Sequence, residues 1–128
     1  ELQVEKKVRF ITWIERSELM QKFKTASAFL FPSHEGAGMV VAEALSFGLP
    51  VICLDNEGPG QFIHSKCGYA IPPGEYHATI AGLTNAIMDL YASPEKRQQM
   101  SLAARQQFET VFHWDRRGEQ LQETYTRI

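Results

Sequence analysis

Apolar residues are distributed differently in the two halves of this chain. Up to Pro72 they come as short, dense runs broken by glycine and proline; beyond it they recur at helical intervals. The run VRFITWI, Val8 to Ile14, is rich in β-branched and aromatic residues and predicts a strand. Ser17 is a candidate cap for a helix over ELMQKFKTA, with Leu19, Met20 and Phe23 as its apolar stripe. SAFLF, Ser27 to Phe31, is a continuous apolar run of the kind found in strands buried on both faces, and Pro32 ends it. A second helix is expected from Gly38 to Phe47, closed by Gly48 and then Pro50. PVICLD, Pro50 to Asp55, predicts another buried strand. A turn-rich stretch then leads to a short helix from Gly60 and a brief strand in GYAIPPG, Gly68 to Gly74.

From His77 onward the period is 3.6. HATIAGLTNAIMDLYAS is expected to be an amphipathic helix built on Ile80, Leu83, Ile87 and Leu90. Ser93 caps the next, with Pro94 at its first position. A last helix follows in WDRRGEQLQETYTRI, weakened by Gly118, with Trp114 expected to pack it onto the domain. Phe108, Phe112 and Tyr125 read either as core or as a surface for another part of a larger protein. Strands alternating with helices define an α/β class with a Rossmann-like parallel sheet and helices on both faces. Ligands of such sheets bind at the carboxyl ends of the strands. The loop from Pro32 to Gly38 leaves a strand and opens a helix, so it belongs to that edge.

Composition narrows the picture only a little. The 128 residues suggest a single domain spanning 1–128; they are 44% hydrophobic and 22% charged, with a formal net charge of -2. That balance suits a globular domain and argues against a nucleic-acid partner, which would call for a basic excess. Cys53 and Cys67 are too few for a disulfide framework and lack metal-type spacing, so no metal site is expected and the cytoplasm is the default compartment.

The candidate chemistry lies in HEGAGMVVAE. Gly36 and Gly38 let a backbone come close to a ligand, and the first amides of the helix that follows lack intrahelical acceptors. Those amides and the helix dipole suit an anion such as phosphate; a tight turn with no ligand is the alternative. Glu43 stands among Met39, Val40, Val41, Ala42, Ala44, Leu45 and Phe47. Such a helix reads as buried, and a buried carboxylate requires a partner. Two partners are open: a structural one, such as an arginine or backbone amides, or ligand hydroxyls. Glu35 and Glu43 are eight residues apart, about 12 Å if the interval were helical. An acid, a glycine loop, helix amides and a second acid would match a nucleotide sugar, with hydroxyls at both ends and a diphosphate between.

FPSHEGAGMVVAEALSFGLPVICLD resembles the donor-site segment of family 4 retaining glycosyltransferases of the GT-B fold, whose hallmark E-x7-E corresponds to Glu35 and Glu43. The flanking VRFITWIERSELMQKFKTASAFLFPS and the segment from Cys67 to Tyr125 are similar to the family as well, so the resemblance covers nearly the whole chain. It implies a truncated C-terminal donor-binding lobe with a helical C-terminal segment, lacking its first strands and the N-terminal acceptor lobe. It implies Glu35 as the acid acting on the donor sugar. Donor contacts would come from the backbone of Gly36, Ala37, Gly38, Met39 and Val40, and from Glu43 at the ribose. Trp13 to Arg16, with the Ile14 backbone, would border the base. His34 either touches phosphate or merely decorates the loop.

The expected partner is a UDP-, GDP- or ADP-linked sugar, with no cofactor and no metal. The expected location is the cytoplasm or the inner face of a membrane, through peripheral association. Ala37 departs from the family, which commonly has an aromatic residue there. The family's Arg/Lys pair for the diphosphate has no counterpart in Lys6, Lys7 or Arg9, so the chain alone is expected not to turn over. A sugar-nucleotide epimerase lobe and a non-catalytic nucleotide-binding module are the alternatives.

Overall fold

The structure, a computed structural model, describes residues 4–34, 36 and 38–127. The order of elements is α1 (Arg16–Thr25), β1 (Phe29–Phe31), α2 (Met39–Ser46), β2 (Val51–Leu54), a short 3-10 turn (Pro59–Phe62), β3 (Gly68–Ile71), α3 (Tyr76–Ala92), α4 (Pro94–Val111) and α5 (Trp114–Thr126). Among the described residues the strands form one parallel sheet in the order β1-β2-β3, with Phe29 opposite Val51 and Cys53 opposite Ala70. This is the Rossmann-like α/β arrangement expected from the alternation of apolar runs.

The central strand β2 is buried along its whole length. Alternate residues of a strand point to opposite faces, so β2 serves two cores. Val51 and Cys53 pack with Phe23 of α1, Val41, Ala44 and Leu45 of α2, and Ala104 of α4. Ile52 packs with Leu83, Ala86 and Leu90 of α3 and Met100 of α4. Phe23 meets Phe29 and Phe47 edge-on, with ring centroids 5.4 and 5.8 Å apart, which fixes α1 against the first face.

Local signals set several boundaries. Gly48 takes φ +70°; its amide donates to Leu45 and the Leu49 amide donates to Ala44, a Schellman closure of α2 that favours glycine. The Ser93 hydroxyl accepts from the Lys96 amide at 3.3 Å, with Pro94 opening α4 as expected. At α1 the cap differs. The helix begins at Arg16 after Glu15, with no side-chain cap bond, so Ser17 lies inside it.

Three further expectations change. Val8 to Ile14 forms no strand, and Phe10 and Trp13 are largely exposed. A strand is stable only with a ladder partner, and among the described residues none lies beside this segment. The run Ser27 to Phe31 yields an edge strand rather than one buried on both faces. Helix α3 packs over β2 and β3, leaving Leu30 exposed on that side of β1. On α3 the buried face runs through Leu83, Ala86 and Leu90, while Ile80 and Ile87 are exposed. Gly82 faces β3 closely: a Cβ there would lie 2.7 Å from Ile71 Cγ2.

The junction of α3, α4 and β3 carries a polar cluster. The Tyr69 hydroxyl and the Lys96 ammonium both donate to Asp89 Oδ2, and Lys96 Nζ lies 5.6 Å from the Tyr69 ring centre. The Lys96 bond, then the Tyr69 bond, hold the Asp89 carboxyl below its usual range; the Asp89 bond raises Lys96.

Two measurements test this account. Gly68→Ala would place a Cβ 2.0 Å from the Val51 carbonyl oxygen, whereas Gly74 has open space around it. By urea denaturation Gly68→Ala should cost about 3 kcal/mol or more, and Gly74→Ala should be close to neutral. Asp89→Asn should lower Tm by a few degrees at neutral pH. Because the folded-state pKa of Asp89 is depressed, its contribution is present above the ordinary carboxylate pKa of about 4 and fades as pH falls through the lower folded value. Wild type and variant should therefore converge in acid.

Candidate functional site

The carboxyl edge of the sheet is built by the loops that leave β1 and β2. Asn56 ties them together: its Nδ2 donates to the Ser33 carbonyl at 3.0 Å, and its Oδ1 accepts from the Gly58 amide at 3.3 Å. The second bond is an Asx turn within the turn-rich stretch DNEGPG. The first bond is a cross-loop clamp that composition does not reveal. Gly60 allows the tight return behind it, since a Cβ there would lie 2.7 Å from the Asp55 Cα. Asp55 itself is exposed, with its amide bonded to the Ile71 carbonyl at 2.7 Å.

Gly38 enters α2 at φ +62°, a left-handed conformation that favours glycine, against Pro59 and Phe62. The helix has no side-chain cap. Val41 and Ala42 donate to the Gly38 carbonyl, while the amides of Gly38, Met39 and Val40 find no acceptor among the described residues. The first turn of α2 thus lies at the carboxyl edge of the sheet, where helix amides without an intrahelical acceptor suit an anion.

The predicted residues fall beside two neighbouring cavities. His34 and Gly36 line one of about 530 Å3 with Asn56, Glu57 and Gly58. Met39 and Glu43 line a larger groove of about 830 Å3 with Phe62, Phe108, Phe112 and Trp114. Gly38 is buried and Val40 half-buried between these surroundings and the core. Ile14 is half-buried just before α1. Glu35 and Ala37 lie outside the described residues.

Glu43 is not enclosed as its apolar neighbours suggested. Positions 41, 42, 44 and 45 of α2 are buried, but Met39 and Glu43, one turn apart, share the open side. The Glu43 side chain is 29% exposed and forms an ion pair with Arg16, itself 72% exposed. A pair so exposed contributes on the order of 0–1 kcal/mol to stability. The arginine partner corresponds to the structural alternative that the sequence left open. Nothing in the spacing of 27 residues singles out Arg16; only the packing of α1 against α2 does. Trp114 is 86% exposed and lines the groove instead of packing α5 onto the domain.

Neither cysteine belongs to the edge chemistry. Both are free and buried. Burial first, then the nearby charges of Asp55 and Cys67, push the Cys53 thiol up to about 11; burial also raises Cys67. Among the described residues no group of three or more metal-ligating side chains occurs, and no helix is long and apolar enough to cross a membrane.

A parallel α/β sheet with a glycine-entered helix at its carboxyl edge defines a class of small-ligand-binding domains. Comparison with known proteins narrows it. A family model described as Glycosyl transferases group 1 matches residues 1–107, and the chain belongs to that family. Among its relatives, glycogen synthase of Mycobacterium tuberculosis is 31% identical over 108 residues, 83% of this chain and 25% of that protein. Spore coat protein SA of Bacillus subtilis is 29% identical over 123 residues, 94% of this chain and 32% of that protein. A GDP-mannose-dependent monoacylated alpha-(1-6)-phosphatidylinositol monomannoside mannosyltransferase of Corynebacterium glutamicum is 25% identical over 126 residues, 92% and 32% respectively. The chain thus spans about a quarter to a third of the length of these curated relatives. No solved structure matches it.

The burial of the two thiols gives a simple check. In the native protein at pH 8, Cys53 and Cys67 should resist an aromatic disulfide reagent, and both should react once urea unfolds the chain.

Proposed function

We propose that this chain is the donor-binding part of a retaining family 4 glycosyltransferase of the GT-B fold, its C-terminal lobe, which moves a hexose from a nucleotide sugar to a glycan or lipid-linked acceptor. One observation carries the reading most of the way. A glycine-entered helix offers amides without an acceptor among the described residues at the carboxyl edge of a parallel sheet, and Glu43 stands one turn further on along its open side. Family membership, and relatives named as a glycogen synthase and a GDP-mannose-dependent mannosyltransferase, support it.

In this reading the amides from Gly36 to Val40 face the diphosphate. During transfer the bond between the sugar's anomeric carbon and the diphosphate oxygen breaks, the acceptor hydroxyl bonds to that carbon on the same face, and the hydroxyl's proton passes to the departing diphosphate oxygen. Negative charge grows on the departing diphosphate, where fixed amide donors stabilise it better than water would. Glu43 accepts hydrogen bonds from the ribose hydroxyls, and Glu35 meets hydroxyls of the transferred sugar. His34 stands at the phosphate end, and the Ile14 backbone borders the base. The acceptor would be positioned by the rest of the protein, which is why transfer is assigned to the full-length enzyme. No metal is required by this scheme.

Calorimetric titration of the full-length protein with UDP-, GDP- and ADP-sugars tests the proposal. One of the three should bind; binding of none would overturn it. Glu43→Ala should weaken donor binding by about tenfold, the loss of one hydrogen bond to a charged acceptor. Glu35→Ala should lower kcat more than it changes donor affinity. Wild-type kinetics in both variants would mean that the acids are structural.

A further inference from the structure

The Arg16–Glu43 pair is the one cross-element ion pair at the candidate site among the described residues. It joins the first residue of α1 to the second turn of α2. Both helices are anchored from beneath, α1 by Phe23 and α2 by Leu45. Both backbone ends of the contact are therefore fixed, and what the pair decides is the orientation of the Glu43 side chain. Its partners are unequally exposed, so the guanidinium reaches Glu43 from the solvent side and leaves the carboxylate beside the groove. The bond is made by Oε1, and no donor reaches Oε2 among the described residues. A carboxylate has room for further donors on each oxygen, so the free one can accept from a ligand.

We propose that Arg16 is a positioning residue of the nucleotide-sugar site, holding the Glu43 carboxylate so that its free oxygen meets the ribose diol. This rests on the donor-site reading above. A glutamate on the open side of a helix has several rotamers available, and ordering it at the moment of binding weakens affinity. A guanidinium already bonded to one oxygen removes that cost. The planar fork of arginine fixes direction as well as charge, so lysine replaces it only in part. Because the pair lies largely in water, its loss changes ligand selection far more than folding.

The readout is the preference for a ribonucleotide over its 2′-deoxy counterpart. The full-length protein is titrated calorimetrically with UDP, GDP and ADP, and the tightest binder is compared with its 2′-deoxy form. Wild type should prefer the ribose form by about tenfold, the size of one hydrogen bond to a charged group. Arg16→Ala and the neutral, more isosteric Arg16→Gln should lose most of that preference. Arg16→Lys should keep part of it, with melting temperatures close to wild type throughout. If both neutral variants keep the full preference while Glu43→Ala loses it, Arg16 is not the positioning residue and the donor-site reading stands. If wild type shows no preference, or binds none of the nucleotides, the assignment of Glu43 to ribose falls and this proposal falls with it.

Discussion

The constraint on which this domain depends is that β2 has no access to water. Its four residues are buried, its edges are bonded to β1 and β3, and each of its faces requires a separate apolar cover. Only a chain that returns helices to both sides of a parallel sheet can meet that demand. Helices α1, α2 and α4 close one face and α3, with Met100 of α4, closes the other. The orientation of α2 follows from this requirement. Once Val41, Ala44 and Leu45 are committed to the core, Met39 and Glu43 are turned outward and the amino end of the helix is brought to the carboxyl edge of the sheet.

Much of this was legible in the residues because the information is local. Gly48 with Pro50, Ser93 with Pro94, and the dense run Val51 to Leu54 each specify their conformation within a few positions, and each was realised. What could not be read locally was relational. Val8 to Ile14 has strand composition, but a strand exists only beside another. Phe29 to Phe31 has the composition of a doubly covered strand, yet α3 does not extend over it. Of the expected stripe of Ile80, Leu83, Ile87 and Leu90, the core kept Leu83 and Leu90 and took Ala86 in place of the two isoleucines.

The site shows the same division. The glycine at the entry of α2 and the place of that entry at the sheet edge followed from spacing and topology. The surroundings of Glu43 did not: counting apolar neighbours cannot reveal that one side of a short helix is left uncovered. The contacts of Arg16 and Asn56 were likewise not visible in the sequence, because each reaches a residue far away in the chain, Arg16 to Glu43 and Asn56 to Ser33. Long-range polar contacts leave no periodic trace.

The entry to α2 has a further meaning. At Gly38 the φ of +62° and the nearness of Pro59 and Phe62 favour the absence of a side chain, and the donors offered there are backbone amides. Amides read negative charge and distance, and are indifferent to what the charge is attached to. Under the proposed function, a domain organised around such a point carries a general grip at its centre, and discrimination falls to side chains around the rim such as His34, Met39 and Arg16. On that reading, divergence in ligand choice is open to the chain without disturbing the fold, because His34, Met39 and Arg16 are not among the residues that hold β2 dry.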